Sequence, residues 1–156
     1  MGWIDSLRGS VVGLDTTPFI YYTEEHPIYL KIVDPVFEAI VHGELFAVTS
    51  IVTLLEVLVH PIRLGNSKRA QKYRDLLFDT EGVKTVLLSQ EIAEEAARLR
   101  AFQSIHVADS IQMATALKEG ASFFLTNDKR LPSLPGLQVL VLDELIKNSD
   151  EQEKDS

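Results

Sequence analysis

Four acids in this chain stand in apolar surroundings, where a carboxylate is costly. Asp15 ends the run "VVGL" and is followed by two hydroxyls, Thr16 and Thr17, then by Pro18 and "FIYY". Glu56 interrupts "SIVTLLEVLVHP", a stretch apolar almost all round, which predicts a carboxylate at least half buried. Asp109 lies in the first turns of a helix of small and apolar residues, "HVADSIQMATAL". Asp128 follows Thr126 and Asn127 in "FFLTNDKRL". Each acid has an ordinary explanation when taken alone. Asp15 could cap the next helix, and Asp109 could complement a helix dipole. Glu56 could be a rim residue or the partner of one arginine. Asp128 could form a turn before Leu131 and Pro132.

As a set they point to different chemistry. Two carboxylates about 5 Å apart repel by about 3 kcal/mol at an effective dielectric near 20. If the four converge, a stable fold needs a counter-ion. Donors that are all oxygen, in a chain without cysteine, select a hard cation, Mg2+ or Mn2+. His26, His42, His60 and His106 have no ligand-like spacing and read as surface or core residues; His106 alone lies close to one of the acids.

The elements that must position these acids alternate between strand and helix. Strand-like runs are Val11–Leu14, Phe46–Val48, Thr85–Leu88, Phe123–Leu125 and Gln138–Val141. They are apolar nearly throughout, as strands covered on both faces of a parallel sheet are. A helical pattern runs from near Asp34, with Pro35 in its first turn, to Gly43. Others run from Ser50 to Pro61, from Asn66 or Ser67 through Leu77, from Ser89 through Leu99, and from His106 to Gly120. A short helix, "DELIKN", closes the pattern. The alternation predicts an α/β sandwich with a five-stranded, mostly parallel sheet and helices on both faces. Open α/β sheets place their sites at the carboxyl ends of the strands, at a topological switch point. Asp15 lies just past the first strand and Asp128 just past the fourth. If those strands are neighbours, the two acids face each other.

Composition narrows the function classes. The 156 residues suit one domain, here residues 1–147, followed by a solvated acidic tail, 148–156, with a net charge of −3. The absence of cysteine excludes disulfides, thiolate zinc sites and cysteine nucleophiles, and fits a reducing cytoplasm. No apolar run approaches the roughly 20 residues of a membrane span, and "MGWIDSLRGS" is no signal peptide. Gly2 and Ser6 match a loose myristoylation pattern that the bulky Trp3 disfavours. The net charge of −8 argues against nucleic acid until its distribution is considered. Most of it belongs to the tail and the four acids. Residues 60–74 carry Arg63, Lys68, Arg69, Lys72 and Arg74 with no acid, either a solvated helix face or a patch tracking a phosphate backbone. Tyr73, among them, reads as a core residue.

The sequence resembles the PIN-domain nucleases, including the VapC-type toxin ribonucleases, from about Val11 to Leu142. The features carrying the resemblance are "LDTTPFIYY", "SIVTLLEVLVHP", "VADSIQMATAL" and "FLTNDKRL", in that order. The chain departs from the VapC pattern at residues 129–131, where "KRL" replaces an Asp-Phe type ending. The resemblance implies a three-layer PIN-like sandwich with sheet order 3-2-1-4-5. It implies metal ligation by Asp15, Glu56, Asp109 and Asp128, with Thr16, Thr126 and Asn127 as supporting polar groups. It implies a Mg2+- or Mn2+-dependent endoribonuclease acting on RNA. It also implies a homodimer, to which the apolar face of "PIYLKIVDPVF" would contribute, and, in the VapC branch, a small antitoxin partner. The alternative is a PIN-fold RNA-binding or assembly module with little turnover. A phosphohydrolase of the haloacid dehalogenase type would need an acid where Thr17 stands, and no G-x-G-x-x-G follows the first strand to hold a dinucleotide.

Overall fold

Side chains alternate across a strand, so each strand serves two faces. The computed structural model describes residues 2–154 and forms five strands: β1 (Val11–Leu14), β2 (Phe46–Ser50), β3 (Val83–Val86), β4 (Phe123–Thr126) and β5 (Gln138–Val141). Neighbouring strands all run parallel, in the order β3-β2-β1-β4-β5, as expected for a PIN-like fold. The helices are α1 (Thr16–Thr23), α2 (Leu30–Val41), α3 (Ile51–Arg63), α4 (Ser67–Phe78), α5 (Gln90–Phe102), α6 (Val107–Lys118) and α7 (Leu142–Lys154). Val12, Leu14, Ala47 and Leu125 point to one face, where Phe19 of α1, Phe37 of α2, Tyr73 of α4 and Leu142 of α7 cover them. Val48 and Phe124 point to the other, against Met113 and Ala116 of α6.

Gly13 sets the spacing of that second layer. A Cβ there would lie 2.7 Å from the Ala116 Cβ and 2.9 Å from a Phe124 ring carbon. Glycine therefore lets α6 sit tightly on β1, and α6 carries Asp109.

Some boundaries differ from the sequence expectation. β3 lies two residues earlier, because Gly82 turns the chain into it at φ +92° and Val86 is already paired with Ser50. Leu87 and Leu88 then leave the sheet, exposed, ahead of the Ser89 cap of α5. α2 begins one turn before Asp34, so Pro35 lies inside it. The imidazole Nδ1 of His26 accepts from the Ile28 and Tyr29 backbone N–H groups and organises the entry to that helix. α3 runs through Pro61 to Arg63, with Pro61 buried. The apolar face of α2, offered above as a dimer contact, is occupied within the chain: Ile32, Val33, Val36 and Phe37 belong to the core. α7 continues to Lys154, through much of the segment expected as a solvated tail, and Lys31 of α2 holds Asp150 at 2.8 Å. Residues 155 and 156 of that tail lie outside the described residues. Among the described residues, no helix is long and apolar enough to cross a membrane.

Candidate functional site

Asp15 uses both carboxylate oxygens. It caps α1, one oxygen accepting from the Thr16 backbone N–H at 2.8 Å. The other accepts from the Thr126 hydroxyl at 2.7 Å. Thr126 ends β4, is fully buried, and its Oγ1 also accepts the Asp128 backbone N–H at 3.1 Å. One threonine thus joins the acids at the ends of β1 and β4, which are paired neighbours. Burial pushes the Asp15 carboxyl up to about 6; the bonds from Thr126 and Thr16 oppose this, and the charges of Asp109 and Glu56 add to it.

Glu56 departs from expectation: it is exposed, because α3 turns that side of its apolar sequence outward, with Leu55 and Val59 exposed beside it. The Thr16 hydroxyl nevertheless donates to Glu56 at 2.7 Å, so the first turn of α1 holds two acids, Asp15 by its backbone and Glu56 by its side chain. Asp109 lies half-buried in the first turn of α6. Burial raises its pKa, and the charges of Asp128 and Glu56 raise it further, while His106 and Arg130 work in the opposite direction.

A buried polar network under the acids was not anticipated. Gln112 donates to the Thr53 hydroxyl at 2.6 Å and accepts the Ser50 backbone N–H at 3.1 Å. Thr49 shares a 2.7 Å bond with Thr53 and donates to the Leu14 carbonyl at 2.8 Å. Thr53 lies one turn before Glu56, and Gln112 one turn after Asp109. Their bond locks α3 against α6 directly beneath those two acids. The signal available in the sequence was a polar residue at a core position, Thr53 in "IVTLLEV" and Gln112 in "SIQMATA". Beside Asp15, the Thr17 hydroxyl is the one buried side-chain polar atom without a hydrogen-bond partner among the described residues.

The "KRL" segment splays in three directions. Lys129 pairs with Asp143 at 3.0 Å, and Leu131 enters the α6-side core. Arg130 folds back on Asp128: its Nε and Nη2 reach the two carboxylate oxygens at 3.0 and 2.9 Å, and its backbone N–H adds a third bond at 2.9 Å. Those bonds hold the Asp128 carboxyl below its ordinary range. Asn127 is a strut, donating to the Tyr21 hydroxyl and accepting from the Asp143 N–H, each at 3.0 Å. A cleft of about 600 Å³ opens beside Asp109 and Asp128, lined also by Arg100, His106 and Arg130.

The four acids therefore share one end of the sheet and act on one another electrostatically. Among the described residues, no three acidic or histidine side chains form a ready-made metal cluster. His106, the N-cap residue of α6, is the histidine at the cleft; His42 ends α2 and His60 lies in the last turn of α3. The basic stretch sits elsewhere. Arg69 pairs with Glu24 just past the far end of α1, and Arg74 donates to Gln71. Tyr73 is buried and donates to Glu24, so it is a core residue.

The PIN domain family model matches residues 12–137. No curated protein matches the chain at a significant level. Several solved structures share the fold. VapBC2 from Rickettsia felis, bound to a DNA fragment from its promoter, superposes with a TM-score of 0.67 at 17% identity, covering 84% of this chain and 98% of that one. A toxin–antitoxin complex from Klebsiella pneumoniae gives 0.63 at 23% identity over 85% and 98%. The sarcin-ricin-loop-cleaving toxin VapC20 of Mycobacterium tuberculosis gives 0.59 at 12% identity over 74% and 87%.

Proposed function

This chain belongs to the PIN-domain family, and from that premise we propose that it is a divalent-metal-dependent endoribonuclease, the toxin of a toxin–antitoxin pair. The observation that carries the reading is the gathering of Asp15, Glu56, Asp109 and Asp128 at the carboxyl edge of β1 and β4. The donor set fits a hard cation: it is all oxygen, and burial with neighbouring negative charge leaves Asp15 at about 6, a cost that a bound cation would relieve.

Asp15, Glu56, Asp109 and Asp128 would hold Mg2+ or Mn2+. When bound, the ion activates a water for attack on phosphorus and offsets charge on the phosphate oxygens. Thr126 and the Thr16 N–H each hold one Asp15 oxygen and leave it a further lone pair for a ligand. Thr16 orients Glu56 through its hydroxyl. The Gln112–Thr53 bond keeps Glu56 and Asp109 in fixed relation. The basic stretch Arg63–Arg74 would meet RNA flanking the cut. The toxin assignment draws on the fold shared with toxin–antitoxin complexes; a small antitoxin and a second copy of the chain are the partners it supplies.

The test is cleavage of structured and single-stranded RNA by purified protein with Mn2+. EDTA and Asp15→Asn are each expected to abolish it, and cleavage that survives both would overturn the metal site. A second reading, a binding module with little turnover, is favoured by one feature: Arg130 already neutralises Asp128. Calorimetric titration separates the two, since the module would show no saturable Mn2+ binding.

A further inference from the structure

We propose that RNA lies in the cleft beside α6, where Arg100 and Arg130 bind a backbone phosphate next to the cleaved one, and that Arg130 exchanges Asp128 for that phosphate. The inference rests on the nuclease reading above and adds where the substrate runs. The acids Asp109 and Asp128 line this cleft together with Arg100, Arg130 and His106. A chain of phosphates held by these cations would pass directly over the acids.

The two arginines are held differently. Arg100, in the last turn of α5, donates its Nε to the Ile105 carbonyl at 3.1 Å. That bond fixes the guanidinium toward the loop before α6 and leaves its Nη groups for a ligand. Among the described residues, no carboxylate forms an ion pair with Arg100. Arg130 presents a two-pronged fork to Asp128, with 72% of its side chain exposed. Exposed ion pairs are weak and screened, and a phosphate offers the same two-oxygen geometry as a carboxylate. A guanidinium and a divalent ion repel each other when they share one carboxylate. Metal arriving at Asp128 would therefore release Arg130 into the cleft, where the phosphate is the available anion. Arg69 is engaged at the far end of α1, about 12 Å from Thr16 at the helical rise of 1.5 Å per residue.

Two measurements test the proposal on the full chain. The first is fluorescence anisotropy of a short single-stranded RNA, titrated across salt concentrations with Ca2+, a hard oxygen-seeking cation, in place of Mn2+. Arg100→Ala and Arg130→Ala are each expected to lower affinity and to reduce the slope of log affinity against log salt by about 0.7, the value for one lost phosphate contact on a single strand. Lys118→Ala, an equal loss of charge at the opposite end of α6, leaves the slope unchanged. The second is calorimetric titration with Mn2+ alone, in which Arg130→Ala is expected to bind the ion several-fold more tightly than the unaltered protein. Unchanged slopes in both arginine variants, in a protein that still cleaves RNA, would overturn this inference and leave the nuclease reading standing. Unchanged Mn2+ affinity in Arg130→Ala would overturn the exchange. No RNA binding by the unaltered protein would overturn both readings.

Discussion

Replacing Asp15 with asparagine should cost activity and yet stabilise the metal-free protein. Burial raises this carboxyl from its ordinary 3.8 to about 6, with Asp109 and Glu56 adding to the rise. At 1.36 kcal/mol per pH unit this difference corresponds to about 3 kcal/mol. The sign follows from proton linkage: the folded chain binds this proton more tightly than the unfolded chain. The favourable contribution is therefore complete below pH 3.8, declines as pH rises toward 6, and is gone above it. Asparagine is neutral throughout. Its oxygen can keep the Thr16 N–H, and the Thr126 hydroxyl can rotate to accept from its amide. In EDTA, urea denaturation of the two proteins should give similar stabilities near pH 4 and a variant more stable by up to about 3 kcal/mol at pH 8. Mn2+ should reverse the order: at 1,000 times its dissociation constant it stabilises the unaltered protein by about 4.1 kcal/mol and leaves the variant unmoved. A stability difference independent of pH, or a variant weaker than the unaltered protein at pH 8 in EDTA, would refute this account of the site.

Other perturbations address the scaffold. Gln112→Leu removes the acceptor of the Ser50 N–H and the donor to Thr53, and should lower stability by about 1–3 kcal/mol in urea denaturation. Gly13→Ala drives a Cβ into Ala116 and Phe124, at an expected cost of about 1–3 kcal/mol. Its thermal midpoint should recover in the double variant with Ala116→Gly, which removes the closest of those contacts. Thr17→Val deletes a buried hydroxyl without a partner and should raise stability by about 1 kcal/mol; a loss of stability on denaturation would show that the hydroxyl is satisfied in solution.

Much of the architecture was legible because it depends on local pattern. Apolar runs of about four residues, divided by amphipathic helices, leave few arrangements besides a covered parallel sheet. Helix starts could be read from single residues: Asp15, Ser50, Asn66 and Ser89 each cap a helix with the side chain. The four acids could be picked out because a carboxylate in an apolar stretch needs a reason. Boundaries were less legible where long-range pairing or packing overrode the local signal, as at β3, at the start of α2, and at the burial of Pro61 within α3.

The sequence by itself determined which residues have the chemistry and which elements carry them, since donor type and periodicity are properties of the chain. Tertiary structure alone decided how the acids meet. Thr126 bridges the ends of β1 and β4 because those strands are paired, and nothing near Thr126 in sequence says so. Gln112 and Thr53 find each other across 59 positions, and Gly13 matters only because α6 lands on it. Glu56 proved exposed because the outward side of α3 is apolar too, so hydrophobicity there did not signal burial. Arg130, read in sequence as part of a departure from a pattern, became a cation forked onto an acid only when the turn after β4 brought its side chain back. Distances between side chains belong to the packed molecule, and a one-dimensional pattern does not contain them.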